Sequence, residues 1–162
     1  MDARKGATDL DAVSVSQHDP DATSGRFRVS EYVRWGDVDL AGIICYGAYV
    51  RFFEIAETEL FRAIGFPFSQ LFERFDFWLP RAQLHFEFRR PALLDERLDV
   101  EAWISKVGNS SLRLQFEVRK STAQRELTAE GHAVLVAVAR HDLRPIPLPP
   151  EVVAALAPYR GG

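Results

Sequence analysis

YGAYVRFFEIAETELFRAI, residues Tyr46–Ile64, is the stretch from which the rest of the chain can be read. At about 3.6 residues per turn, Tyr46, Tyr49, Val50, Phe53, Ala56, Leu60 and Ile64 share a broad apolar face. Arg51, Thr58 and Arg62 lie opposite. Gly65 is a natural C-terminal stop and Pro67 follows it. So wide an apolar arc predicts a helix wrapped by other elements rather than resting on them.

The flanking segments have a different period. Upstream, Phe27-Arg28-Val29-Ser30 alternates and runs on through Tyr32, Val33 and Trp35, which predicts a first strand. Downstream, after a helical turn around Ser69–Arg74, three stretches alternate apolar with polar residues. Ala82, Leu84, Phe86 and Phe88 form the first, Leu98, Val100, Ala102 and Ile104 the second, and Leu112, Leu114, Phe116 and Val118 the third. Each reads as a half-buried strand. Gly108-Asn109 is a hairpin turn between the last two. His132 to Ala139 is almost continuously apolar, which predicts a central strand covered on both faces. Pro145, Pro147, Pro149 and Pro150 close the sheet region, and a short helix is expected to follow to Leu156. Strand, long helix and four more strands make an α+β layout with one helix packed on an antiparallel sheet.

Composition sets the outer limits. The chain has 162 residues, 47% of them apolar and 27% charged, as in an ordinary globular domain. Residues 1–25 are rich in Asp, Ser, Thr, Ala and Gly without sustained period, and are expected to be a disordered tail before a domain spanning 26–162. A net charge of −3 gives no reason to expect nucleic acid or an anionic membrane. No apolar run reaches the length of a membrane span, and a lone cysteine, Cys45, fits a reducing cytoplasm. His18, His85, His132 and His141 are scattered without metal-ligand spacing. No metal or other cofactor is expected.

Between the first strand and the helix lies Trp35-Gly36-Asp37-Val38-Asp39-Leu40-Ala41-Gly42-Ile43-Ile44-Cys45-Tyr46-Gly47-Ala48-Tyr49. An acidic loop running into a helix start suits thioester hydrolysis. The helix N-terminus offers unpaired N–H groups to the carbonyl oxygen as it gains negative charge, and a nearby carboxylate can attack the carbonyl or activate water. The segment resembles the 4-hydroxybenzoyl-CoA thioesterase family of hot-dog-fold enzymes, through an Asp-x-Asp-x-x-Gly loop leading into a Tyr-x-x-Tyr helix opening. The match continues through Arg51-Phe52-Phe53-Glu54, Arg90-Pro91-Ala92 and Val107-Gly108-Asn109-Ser110-Ser111.

The resemblance implies a five-stranded antiparallel sheet curled around one long helix, assembled as dimers or tetramers. It also implies an acyl-CoA substrate, Asp39 as the catalytic carboxylate and the Tyr46 backbone N–H as donor to the thioester carbonyl. Gly42 and Tyr49, the remaining motif positions, are expected at the substrate. Asp37 reads as a turn-former, and Cys45 as a buried small hydrophobe despite its place at the helix start. Glu57 falls inside the apolar face of the helix, between Val50, Phe53, Leu60 and Ile64, where a carboxylate must be paired, be protonated or line a pocket. It departs from the family pattern and is a secondary catalytic candidate. Arg89, Arg90, Lys106 and Lys120 lie at strand ends, from which a basic side chain can reach coenzyme A phosphates. Phe52, Phe61, Phe66, Phe68, Phe72, Phe75, Phe77 and Trp78 suit an aryl or fatty acyl group, or a core. Two alternatives stay open at this level: an acyl carrier protein in place of coenzyme A, and a non-catalytic acyl-CoA-binding module.

Overall fold

The computed structural model describes residues 25–161, so the expected tail, up to residue 24, lies outside the described residues. Strand β1 (Phe27–Tyr32) leads into a loop with a short 3-10 turn at Trp35–Asp37, and helix α1 (Ala48–Ala63) follows. Next come α2 (Phe68–Arg74), a short β2 (Phe77–Trp78), β3 (Arg81–Phe88), β4 (Arg97–Val107), β5 (Ser111–Lys120), β6 (Leu127–Val136), a short β7 (Val138–Ala139) and α3 (Pro150–Ala155). Five strands form one antiparallel sheet in the order β1-β4-β5-β6-β3. With α1 packed across its inner face, this is the hot-dog arrangement that the loop-and-helix motif implies.

The register follows the sequence pattern. Leu112, Leu114, Phe116 and Val118 of β5 all face inward, and Phe53 of α1 stacks on Phe116 at 4.0 Å between ring centroids and on Phe86 at 4.7 Å. Tyr49, Phe52, Ala56, Leu60 and Phe61 complete the buried face of α1. Gly65 ends the helix with φ +83°, and the N–H groups of Gly65 and Phe66 return to the carbonyls of Arg62 and Phe61. Those two bonds are a Schellman closure, which requires the left-handed conformation that glycine adopts without strain.

Four expectations need correction. The helix begins at Ala48, not Tyr46, because Cys45 and Tyr46 are held in a turn. The Ala48 N–H donates to the Cys45 carbonyl at 2.9 Å, and the Cys45 N–H to the Asp37 carbonyl at 2.7 Å. The alternation in β3 does not produce a half-buried strand. Only β6 pairs with β3, and at the sheet edge Leu84 and Phe88 remain 44% and 53% exposed. The apolar run His132–Ala139 is not one central strand. It belongs to β6, next to that edge, and breaks after Val136 so that Val138 and Ala139 pair with β2 in a separate two-stranded sheet. Finally, β4 is buried on both faces rather than one. Asp99 and Glu101 are tolerated there because Arg26, Arg28 and Arg125 form ion pairs over them.

Gly131 of β6 is fixed by crowding. A Cβ at that position would fall 2.0 Å from the His85 carbonyl oxygen on β3.

Candidate active site

The loop from Gly36 to Gly47 treats its two acids in opposite ways. Asp37 is 6% exposed and fully committed. Its carboxylate accepts from the Arg34 N–H at 2.8 Å and from Arg51 Nε at 2.9 Å, and a second guanidinium nitrogen of Arg51 completes a bidentate ion pair. With its carbonyl also holding Cys45, Asp37 ties the loop to α1 at both ends. Arg51, on the polar face of the helix, is thereby explained.

Asp39 is exposed. Its Oδ1 accepts from the Ala41 N–H at 2.8 Å and its carbonyl from the Gly42 N–H at 2.9 Å, while its own N–H donates to Ile43 at 3.0 Å. Gly42, at φ +72°, supplies the left-handed residue that this tight turn needs. The Oδ2 oxygen of Asp39 has no hydrogen-bond partner among the described residues. The turn therefore presents one free carboxylate oxygen in a fixed position.

Asp39 borders a cleft of about 430 Å³ lined also by Ile43, Ile44, Tyr46, Tyr49, Phe88, Arg89, Arg90 and Pro91. The backbone N–H groups of Tyr46, Gly47 and Tyr49 have no acceptor among the described residues, whereas Ala48 donates to Cys45 and Val50 to Gly47. Orphan donors of this kind at a helix start form a site for a developing oxyanion. Tyr49 is buried against Phe88, with ring centroids 5.4 Å apart. Burial pushes its phenol above the ordinary tyrosine range, and the Thr128 hydroxyl beside it works in the opposite direction.

Most of the other sequence candidates can be placed by the same geometry. Arg89 lies at the cleft but is engaged by Glu130 at 2.8 Å and by Glu87. Arg90, also at the cleft, has a looser contact, 3.7 Å to Glu126. Lys106 is not in the cleft. It sits at the far end of β4, nine positions beyond Arg97 and about 30 Å along the strand, in a depression with Ile104, Ser105, Arg160 and Gly161. Lys120 is held by Glu96 at 3.0 Å. Cys45 is half-buried.

Glu57 is not brought to Asp39. It lies 3% exposed beside a second cavity of about 350 Å³ and makes an ion pair with Arg81 of β3. Burial raises its carboxyl above the ordinary range, and Arg81 partly offsets this. Arg81 and Phe88 were not singled out from the sequence, and no local signal marks either one. Arg81 is 24 positions from its partner, and the alternation of β3 gives Phe88 no more weight than Phe86.

A family model described as the thioesterase-like superfamily matches residues 33–156. An acyl-CoA thioester hydrolase of Escherichia coli, YbgC, is 31% identical over 129 residues, which are 79% of this chain and 93% of that protein. Among solved structures, a 1,4-dihydroxy-2-naphthoyl-CoA thioesterase from Synechocystis superposes with TM-score 0.76 at 21% identity, covering 81% of this chain and 95% of its own. A 4-hydroxybenzoyl CoA thioesterase variant complexed with 4-hydroxybenzoyl CoA gives TM-score 0.75 at 21% identity, covering 82% and 99%. At that identity the two structures speak for the fold.

Proposed function

The chain belongs to the thioesterase-like superfamily, and on that footing we propose that it hydrolyses acyl-CoA thioesters to free acid and coenzyme A, with Asp39 as the catalytic carboxylate. The observation that carries this reading is the meeting of two unsatisfied groups in one cleft. One is the free Oδ2 of Asp39, and the other is the set of unpartnered N–H groups at the approach to α1.

The thioester carbonyl oxygen points at the Tyr46 N–H, with Gly47 beside it. As negative charge builds on that oxygen, these donors and the positive end of α1 stabilise it, a contribution of about 2.7–4 kcal/mol per oxyanion donor in comparable sites. Asp39 Oδ2 either takes a proton from the attacking water or attacks the thioester carbon itself, and the turn at Ala41–Gly42 holds it in place for both. Tyr49 and Phe88 form the apolar wall beside the reacting carbonyl. Arg90, loosely paired, receives a coenzyme A phosphate, and Arg89 can join it by exchanging a carboxylate partner for a phosphate. Neither step needs a metal or a redox group.

The free edge of β3, with Leu84 and Phe88 exposed, supports pairing with a second copy of this chain, as a homodimer or a homotetramer built from such dimers. Among the described residues no helix is long and apolar enough to cross a membrane, and with a single free cysteine this supports a cytoplasmic location.

The test is release of free thiol from a panel of aromatic and fatty acyl-CoAs, without added metal or nucleotide. Turnover of at least one is expected. Tight acyl-CoA binding with no turnover across the panel would replace the hydrolase by a binding module, and turnover confined to acyl carrier protein substrates would change the carrier.

A further inference from the structure

The connection between β3 and β4 holds the Asp39 loop at both of its ends. At the entry to the loop, the Val33 N–H donates to the Glu96 carbonyl at 2.9 Å, and the Asp95 N–H donates to the Val33 carbonyl at 2.9 Å. At the exit, Ile43 pairs with Leu93 in an antiparallel bridge, and the Ile44 N–H donates to the Ala92 carbonyl at 2.8 Å. The Ile43 carbonyl accepts the Asp39 N–H at 3.0 Å, and Ile44 bridges back to Val38. Beside the Asp37–Arg51 pair, residues 92–96 are thus the second brace of the loop.

One residue closes that brace. The Glu96 N–H donates to the Leu93 carbonyl at 3.1 Å, and Glu96 Oε2 accepts the Leu93 N–H at 2.9 Å. Reciprocal bonds of this kind are those of a capping box, used here to close a turn. They enclose Asp95 at φ +65°, a left-handed conformation in which a residue other than glycine stays when its surroundings fix it. The other carboxylate oxygen, Oε1, accepts from Lys120 Nζ at 3.0 Å, so β5 anchors the side chain from behind. Lys120 also lies 3.5 Å from Glu126, which is 3.7 Å from Arg90 at the cleft. Neither Glu96 nor Lys120 lines the cleft itself.

Resting on the hydrolase reading above, we propose that Glu96 is a positioning residue for this reaction: by closing the turn at residues 93–96 it fixes where the Asp39 carboxylate stands, without touching the substrate. The path is short. It runs from Glu96 Oε2 to the Leu93 N–H, from Leu93 to Ile43 across the bridge, and from the Ile43 carbonyl to the Asp39 N–H. The bond from the Ala41 N–H fixes only the shape of the Asp39 turn. The pairing of Ile43 and Ile44 with Leu93 and Ala92 places that turn against the segment Phe88–Pro91, which lines the same cleft. A misplacement of about 1 Å in a reacting group can cost about 10²-fold in rate, so one bond outside the cleft can be read in kcat. What the turn requires of residue 96 is an acceptor for the Leu93 N–H, and Lys120 keeps that acceptor oriented.

Glu96→Gln and Glu96→Met test this as a pair. They share length and shape and both lack the charge that Lys120 meets, but Gln keeps an oxygen for the Leu93 N–H. The full chain is assayed with the acyl-CoA of the panel above that the wild-type protein turns over fastest, at a temperature where circular dichroism shows each variant folded. Glu96→Gln should keep kcat within about threefold of wild type, and Glu96→Met should lose about tenfold, with KM within about twofold in both. Amide hydrogen exchange at Asp39 and Ile44 should be about tenfold faster in Glu96→Met than in Glu96→Gln, with exchange at Leu114 and Phe116 of β5 equal in the two. Glu96→Ala removes the same acceptor and replaces Glu96→Met if that variant does not fold. Equal kcat in the Gln and Met variants, or a loss in Glu96→Met matched by faster exchange in β5, overturns the proposal while leaving the hydrolase intact. No turnover of any acyl-CoA by the wild-type protein removes both.

Discussion

Two cavities beside α1 each carry a carboxylate, and they are built in opposite ways. At the helix start, Asp39 is exposed, one oxygen is spent on its own turn and the other is free beside unpartnered backbone N–H groups. Two and a half turns into the helix, Glu57 is buried, paired with Arg81 and held above its ordinary carboxyl range by desolvation. A group that must attack a carbonyl, or take a proton from water, needs access and a free lone pair, and Asp39 has both. Glu57, buried and held by Arg81, lacks that access. The contrast is repeated within the loop, where Asp37 is saturated by Arg34 and Arg51.

The sharpest way to break this contrast is Asp39→Asn. It keeps the size of the side chain and its turn bond but removes charge and basicity. We expect kcat to fall by at least about 10²-fold with melting temperature nearly unchanged. If that variant stays near wild type while Glu57→Gln is dead, the catalytic carboxylate is Glu57 and not Asp39. Asp37→Asn should do the reverse in kind. Weakening a buried pair with the partly exposed Arg51 is expected to cost about 1–3 kcal/mol of stability, read as a melting temperature lower by several degrees, and activity should follow the folded fraction.

A smaller effect concerns pH. The carboxyl of Glu57 is raised in the folded state above its ordinary value of 4.5, so the folded protein binds that proton more tightly than the unfolded chain does. The stability this contributes is present at low pH and is lost as pH rises through the folded-state value. Glu57→Gln cannot lose a proton. The melting temperature of the variant relative to wild type should therefore climb between about pH 4 and pH 7, and a flat or falling difference would show that Arg81 outweighs burial. Smallest of all is Cys45→Ala, which should leave most thiol release intact because the side chain serves packing. A loss comparable to that of Asp39→Asn would move the chemistry onto the thiol. Deletion of Met1 to Ser24 belongs in the same class, with turnover and melting temperature expected near wild type.

How much of this was legible in the sequence depended on how local the cause was. The helix and the strands β1 and β5 follow from periodicity, because each pattern is set by which face meets the core. The Asp39 turn and the helix opening are legible because their bonds span only a few residues. The failures are long-range. Whether an alternating strand is half-buried depends on what lies on its far side, so β3 at the edge and β4 beneath the Arg26, Arg28 and Arg125 network departed from one rule in opposite directions. The partner of Glu57 was hidden because only a bulge in β3 turns Arg81 to the helix side. Lys106 looked equivalent to Arg90 as a basic residue at a strand end, and only the topology puts the two in different places.

The account rests on the thioester being bound and cut at the start of α1, and the most direct test is a crystal structure of Asp39→Asn with decanoyl-CoA bound. The account predicts the thioester carbonyl oxygen about 2.7–3.1 Å from the Tyr46 or Gly47 backbone N–H, with the thioester carbon facing residue 39. A thioester seated elsewhere, or one whose carbonyl accepts no backbone donor of this loop, would contradict it.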